Sequence, residues 1–222
     1  MRLARADAWE RRPIGGRRVK RAVDVVGACG GLLVLSPLLG ALALLVRLDS
    51  SGPALYRQER VGRGGRRFTM YKFRTMTAGS DTTVHRDYVR RYMTGSGDGL
   101  RNGSGRYKLE GDARVTRVGR LLRRWSLDEL PQLLNVALGD MSLVGPRPPL
   151  PYEVELYTPR HSRRLDVLPG ITGLWQVSGR SDVAYEERVR LDMFYIRNYS
   201  IWLDLQLILQ TLPVVLGGRG AY

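Results

Sequence analysis

The sequence is poor in the side chains that most often run polar chemistry. It has one cysteine, Cys29, and two histidines, His85 and His161, in 222 residues. A single cysteine excludes an internal disulfide framework and a cysteine-rich zinc site. Two histidines, with that cysteine set in an apolar run, weigh against cysteine-protease and serine-hydrolase triads and against polyhistidine metal centres. Acidic residues are scarce as well: 21 Asp and Glu stand against 36 Lys and Arg, a formal charge of +15. All but three of those cations, Lys20, Lys72 and Lys108, are arginine, the side chain suited to bidentate phosphate recognition. Charge of this sign predicts attraction to polyanions, whether anionic lipid, phosphorylated substrate or nucleic acid, and does not choose among them. No helix-turn-helix, RNA-recognition or zinc-finger pattern is present, so no nucleic-acid partner is expected.

Charge is missing altogether from residues 25–46. As a helix rising about 1.5 Å per residue, this run matches a hydrocarbon core of about 30 Å. It is long for the apolar part of a removable signal peptide, has Asp24 at its entrance, and meets no small-residue cleavage site before Arg47, so a retained membrane segment is expected. Ser36-Pro37 lies in its middle, and proline removes a backbone donor and crowds the preceding turn, which predicts a break. Arg17, Arg18, Lys20 and Arg21 precede the run, while Arg47, Arg57, Arg60 and Arg63 follow it. Positive flanks at both ends favour a re-entrant segment with both ends in the cytoplasm; the alternative is a spanning helix with a proline kink.

Beyond the anchor, alternation in ALYRQERVG and FTMYKFRTM predicts two strands joined by a glycine turn. Residues 78–112, rich in Gly, Ser, Asp and Arg, read as a loop with a short helix over 86–93: a lid, or a surface insertion without function. Apolar residues return at helical spacing at Val115, Val118, Leu121 and Leu122, then at Leu130, Leu133, Leu134 and Leu138. Two helices meeting near Ser126 are implied, the second starting at about Asp128, where Pro131 falls in the first turn. GDMSLVGPRPPLP is turn-rich, LPGITGLWQVSGR reads as a loop with a short strand, and residues 185–199 read as a helix. The apolar IWLDLQLILQTLPVVLG is too short to span comfortably and reads as a core or interfacial helix.

The strongest local signal is SLDELPQL, with adjacent carboxylates at Asp128 and Glu129 after Arg117, Arg120, Arg123 and Arg124. A helix N-terminus favours negative charge, and nearby arginines hold a carboxyl ionised. An ionised Asp is a nucleophile toward activated phosphorus, and a neighbouring acid can hold the Mg²⁺ that neutralises a diphosphate. The competing structural reading is a helix cap by Ser126 or Asp128 with Glu129 completing a capping box.

Five blocks follow one another: KRAVDVVGACGGLLVLSPLLGALALLVRLDSSGPALYRQERVG, FTMYKFRTM, RRWSLDELPQLLNVALGDMSLVGPRPPLP, PGITGLWQVSGRSD and LDMFYIRNYSIWLDL. In this order, over residues 20–211, they resemble the bacterial sugar transferase family, the monotopic phosphoglycosyl transferases that initiate glycoconjugate assembly. The resemblance implies that Asp128 attacks the β-phosphate of a UDP-sugar, expels UMP and carries a phosphosugar, which a polyprenyl phosphate then accepts. It implies that Glu129 is the metal-binding acid for Mg²⁺, that Lys72 and Arg123 hold the diphosphate, and that Pro146, Arg147 and Pro148 contact the nucleotide. Arg180 and Asp192 are further site candidates. Each has a structural alternative: a solvated helix face for Arg123, an outward strand residue for Lys72, a stiff turn for 146–148, a turn residue for Arg180, and an ion-pair partner of Arg188 for Asp192.

Similarity to exopolysaccharide-type members favours UDP-glucose or UDP-galactose over an N-acetylated donor. Residues 78–112 depart from compact relatives in length and glycine content, and larger relatives add a multipass N-terminal half to the module resembled here. The expected fold is α+β, mostly helical, with a basic segment 1–24, a re-entrant membrane helix 25–46 and a catalytic domain 47–222 on the cytoplasmic face of the inner membrane. A membrane-tethered basic protein that binds anions without catalysis, or a silent scaffold for polysaccharide assembly, is the alternative function.

Overall fold

The computed structural model describes residues 14–77, 83–93, 114–179 and 183–217. Its first element, α1 (Ile14–Asp49), is a 36-residue helix, about 54 Å long at the usual rise. The interruption expected at Ser36-Pro37 is not a gap in the helix. Proline has no N–H to give the carbonyl four residues back, and the Ser36 hydroxyl donates to that same Leu33 carbonyl at 2.8 Å. The exposed stretch of α1 is apolar, with Val26, Leu33, Val34, Leu44 and Leu48 facing outward. Its two ends are gripped by the rest of the protein, through buried Lys20, Asp24 and Ala28 at one end and Leu42 and Val46 at the other.

Both expected strands form. β1 (Leu55–Val61) and β2 (Arg67–Phe73) make an antiparallel hairpin pairing Leu55 with Phe73 and Val61 with Arg67. Its turn uses Gly64 and Gly65 at positive φ, where a side chain would be strained. The helix expected over 86–93 is α2 (Thr83–Met93), and the rest of the 78–112 reading lies outside the described residues. α3 (Arg117–Arg124) starts at Thr116, whose hydroxyl accepts from the Gly119 N–H at 2.9 Å in the usual manner of an N-cap. α4 (Gln132–Leu138) ends at Gly139, which takes the left-handed conformation that closes many helices.

A short parallel pair, β3 (Ser142–Val144) and β4 (Gly170–Thr172), brackets α5 (Pro151–Val154) and α6 (Pro159–Ser162). α7 (Leu174–Ser178) follows β4 where only a loop was expected. α8 (Tyr185–Asn198) agrees with the reading of 185–199. α9 (Ile201–Leu216) buries Leu207 in the core and exposes Trp202, Leu205, Leu209 and Leu212 on its other face.

Three apolar clusters hold these elements together. One joins Val144 to Val189, Met193, Tyr195 and Ile196 of α8 and Leu207 of α9. A second joins Ala28 of α1 to Met70 of β2, Val136 of α4 and Met141. The third joins Leu42 and Val46 of α1 to Phe73 of β2 and Leu122 of α3. β2 therefore runs between the last two, with Lys72 next to Phe73. Among the described residues the architecture is mostly helical with two small sheets.

Candidate active site

The turn carrying the acidic pair differs from the expected helix start. Residues Leu127–Glu129 form a single 3-10 turn, and α-helical structure begins only after Pro131, at Gln132. The cause is Ser126, whose φ of 53° is left-handed, an uncommon conformation for a residue with a side chain and one that gathers at functional sites. It turns the chain between α3 and the acidic pair, and its side chain makes no capping hydrogen bond. The capping-box alternative is thereby excluded for Ser126.

Glu129 is the hub of the site. Its Oε1 accepts from Lys72 Nζ at 2.8 Å and pairs with Arg147 Nη1 at 3.0 Å, bringing together β2, the 127–129 turn and the loop after β3. Burial would raise the Glu129 carboxyl, but Arg147 and Lys72 outweigh it by charge and hydrogen bonding and hold it well below the usual carboxylate range. Burial lowers the Lys72 ammonium against the pull of Glu129. Asp128 moves the other way: loss of water raises it, Lys72 pulls it down, Glu129 pushes it up, and Arg123 and Arg147 pull it down again. Arg123 is held at the edge of this group by its Nε donating to Thr75 Oγ1 at 2.8 Å. Asp128, Glu129, Lys72, Arg123 and Arg147 thus share one site, with more cationic than anionic charge.

The loop 145–149 is built to hold Arg147 still. Its three prolines offer no N–H, so its order rests on carbonyls. Pro146 O accepts from Gly170 N, Pro148 O from Arg60 Nη1 at 2.9 Å, and Pro149 O from Val61 N. The backbones of Gly145 and Gly170 lie so close that a Cβ on Gly170 would sit 2.0 Å from Gly145 N. Upstream, Val144 O accepts from Lys20 Nζ and from the Tyr195 hydroxyl. Pro146 and Pro148 therefore frame Arg147.

Asp192 is not part of this group. It is buried on α8 and pairs with Arg164 Nε at 2.8 Å, while Arg164 Nη1 donates to the Tyr157 hydroxyl. The direct partner is Arg164, from the turn before β4, while Arg188, which the sequence offered, acts on Asp192 by charge. Arg180 lies outside the described residues. His161 closes the capping box of α6 with Thr158 and bonds Glu186, a structural role.

Two residues that sequence reading left out of the site bear on it: Asn135, and Arg60, which the sequence offered only as an exposed positive flank and the structure buries. Arg60, buried and pushed down to about 10 chiefly by that burial, ties β1 to the Arg147 loop. Asn135 ties β2 to α4. The signal for Asn135 was a polar residue among the apolar positions of QLLNVAL; for Arg60 no local signal separated it from its arginine neighbours.

Among the described residues no group of three or more His, Cys, Asp or Glu side chains is placed to hold a metal. Both ion pairs of Glu129 use Oε1, and the carboxylates the chain offers here are Glu129 and its neighbour in sequence, Asp128. That fits Mg²⁺, which keeps several waters and is commonly held by one or two carboxylates together with substrate phosphates.

Residues 15–218 match the family model described as bacterial sugar transferase. The chain is 46% identical over 203 residues to the galactosyl transferase CpsE of Streptococcus agalactiae, covering 91% of this chain and 43% of that protein. It is 43% identical over 211 residues to the exopolysaccharide production protein ExoY of Rhizobium meliloti, covering 95% of this chain and 91% of that protein. It is 43% identical over 206 residues to the undecaprenyl-phosphate galactose phosphotransferase of Salmonella typhimurium, covering 93% of this chain and 42% of that protein. The chain thus spans nearly all of ExoY and less than half of the other two. A match running through the acidic pair, the hairpin and the proline loop alike places this chain in the bacterial sugar transferase family.

Proposed function

We propose that this chain transfers a hexose-1-phosphate from a UDP-sugar to undecaprenyl phosphate, releasing UMP, as the first membrane step of exopolysaccharide or glycoconjugate synthesis. The observation that carries the reading is the acidic pair set among Lys72, Arg123 and Arg147, with Glu129 fixed by two cations and Asp128 beside it. A site with surplus positive charge favours a diphosphate and stabilises charge that develops on it during displacement. An Asp128 oxygen attacks the β-phosphorus of the donor; the bond from that phosphorus to the bridging oxygen breaks, and UMP leaves with the electron pair. The phosphosugar is then held on Asp128 as an acyl phosphate. An oxygen of the lipid phosphate attacks the same phosphorus and returns Asp128 as a free carboxylate. Lys72 and Arg147 keep Glu129 ionised and oriented, Arg123 and Arg147 bind phosphate oxygens, and the rigid 146–148 loop positions Arg147 toward the nucleotide. Mg²⁺, when bound by Glu129, neutralises diphosphate charge. Galactose is the sugar we favour, since two of the relatives above are named for it.

The grip on α1 supports a re-entrant membrane arrangement. Lys20 pairs with Asp204, Arg21 donates to the Val136 and Ala137 carbonyls, and Asp24 accepts from Ser142 and Leu143. Past the apolar run, Arg74 donates to the Val46 and Ser50 carbonyls and Asp49 accepts from Val118 N–H. One protein body holds both ends of the charge-free segment. We read the segment as re-entrant, entering and leaving on one face, and the arginine flanks favour the cytoplasmic face of the inner membrane. Residues 47–222 form the catalytic domain on that face.

Purified protein is incubated with Mg²⁺ and a panel of UDP-sugars without lipid acceptor, followed by intact mass and UMP chromatography. A phosphosugar adduct with one donor, absent in Asp128→Asn, is the expected result. Folded protein that gives neither adduct nor UMP with any donor overturns the reading in favour of a non-catalytic scaffold.

A further inference from the structure

Asn135 is a polar residue with no exposed surface, set in a helix whose neighbours Leu133, Leu134, Val136 and Leu138 are apolar. Asparagine is a poorer helix former than the leucine this pattern suggests, and its amide is costly to bury unless fully bonded. Both ends of the amide are in use. Oδ1 accepts from the Tyr71 N–H at 3.0 Å and Nδ2 donates to the Thr69 carbonyl at 2.7 Å. Thr69 and Tyr71 flank Met70 on β2, and in a strand residues two apart turn their backbone groups to the same edge. The side chain thus stands in for a neighbouring strand on the edge of β2 away from β1. The Asn135 carbonyl also accepts from the N–H groups of Gly139, Asp140 and Met141, closing α4.

We propose that Asn135 is a positioning residue of the transferase site: by pinning β2 to α4 it sets where Lys72 meets Glu129. The apolar contacts between these elements, Met70 against Val136 and Met141, are non-directional and fix the separation of strand and helix without fixing their register. Two hydrogen bonds of fixed geometry supply the register. Lys72 is the next residue after Tyr71, and Glu129 is carried by the turn that leads into α4. The amide bonds and the 2.8 Å Lys72–Glu129 contact therefore close a ring in which a shift of β2 at Asn135 reappears at the ion pair. The role of that ion pair in turnover rests on the function proposed above.

The test compares Asn135→Leu, which removes both bonds while keeping the same branched skeleton in a bulkier form, with Asn135→Gln, which keeps donor and acceptor but is longer by about 1.5 Å. The full chain in detergent is assayed for UMP release from the donor used by the wild type, with folding followed by thermal melting. The expected result for folded protein is a kcat lower by roughly 10²-fold, with KM for the donor changed by less than about threefold. A folded variant with kcat within about twofold of wild type overturns the inference. So does a loss of activity that only tracks the unfolded fraction. If neither variant folds, hydrogen exchange of the Tyr71 amide in the wild type decides, and rapid exchange sinks the idea. Asp128→Asn is assayed in parallel: UMP release by that variant refutes the nucleophile assignment, while the response to Asn135 substitution still reports on positioning.

Discussion

Replacing Lys72 with methionine removes one of the two cations on Glu129 and keeps most of the side-chain length. The pair is 2.8 Å apart, with the two side chains only 13% and 16% exposed, so solvent screens it weakly. Glu129 is not orphaned by the change, because Arg147 remains on the same oxygen at 3.0 Å. The stability cost is therefore expected at the low end for a charged hydrogen bond, about 1.5 kcal/mol. The catalytic cost is expected to be larger, roughly 10²-fold in kcat, since a Glu129 carboxylate no longer held in place misorients the reacting groups. UMP release without lipid acceptor isolates the first half-reaction. A cycle of Lys72→Met, Glu129→Gln and the double variant then asks whether the two act through one contact, in which case a coupling of about 0.5–3 kcal/mol is expected. A folded Lys72→Met protein with kcat/KM within about threefold of wild type, or strict additivity in the cycle, refutes the clamp.

Lys20→Met leaves Asp204 buried without its ammonium, and should lower stability by about 3–5 kcal/mol in denaturant unfolding, with Lys20→Met/Asp204→Asn recovering part of the loss. Asp192→Asn should cost stability on the same scale by stranding Arg164, while the folded fraction keeps the wild-type KM for the donor; a specific rise in KM would restore Asp192 to the site. Chelating divalent metal should abolish turnover reversibly, with Mg²⁺ restoring it and the melting temperature unmoved, because Lys72 and Arg147 already pair with Glu129. A melting temperature that falls with chelation would instead mark a structural metal.

How much of this was legible in the sequence depends on the range over which each feature is decided. The place of α1 follows from an absence of charge over residues 25–46, though the helix runs beyond that stretch at both ends, from Ile14 to Asp49, and the β1–β2 hairpin follows from alternation and a glycine turn. Asp128 and Glu129, with Lys72, Arg123 and Arg147, were found from residue type and family blocks. Local backbone geometry was already harder. Proline chemistry at Pro37 predicted a break, yet helical structure runs through it, with the Ser36 hydroxyl bonded to the Leu33 carbonyl. Helical spacing predicted a start at Asp128, yet a left-handed Ser126 moves it to Gln132.

What the sequence by itself determined is the apolar period of each segment, which residues carry charge, and which helix is long and apolar enough to cross a membrane. Tertiary structure alone decided the pairings. Lys72 and Arg147 come to one oxygen of Glu129 from either side in the chain, Asp192 takes Arg164, Arg60 holds the proline loop, and Asn135 completes a strand edge 64 residues away. Burial is encoded in a period that each segment carries alone. A hydrogen bond or ion pair between distant segments needs donor and acceptor within about 3 Å in a narrow range of angles, and that condition exists only once the elements have packed.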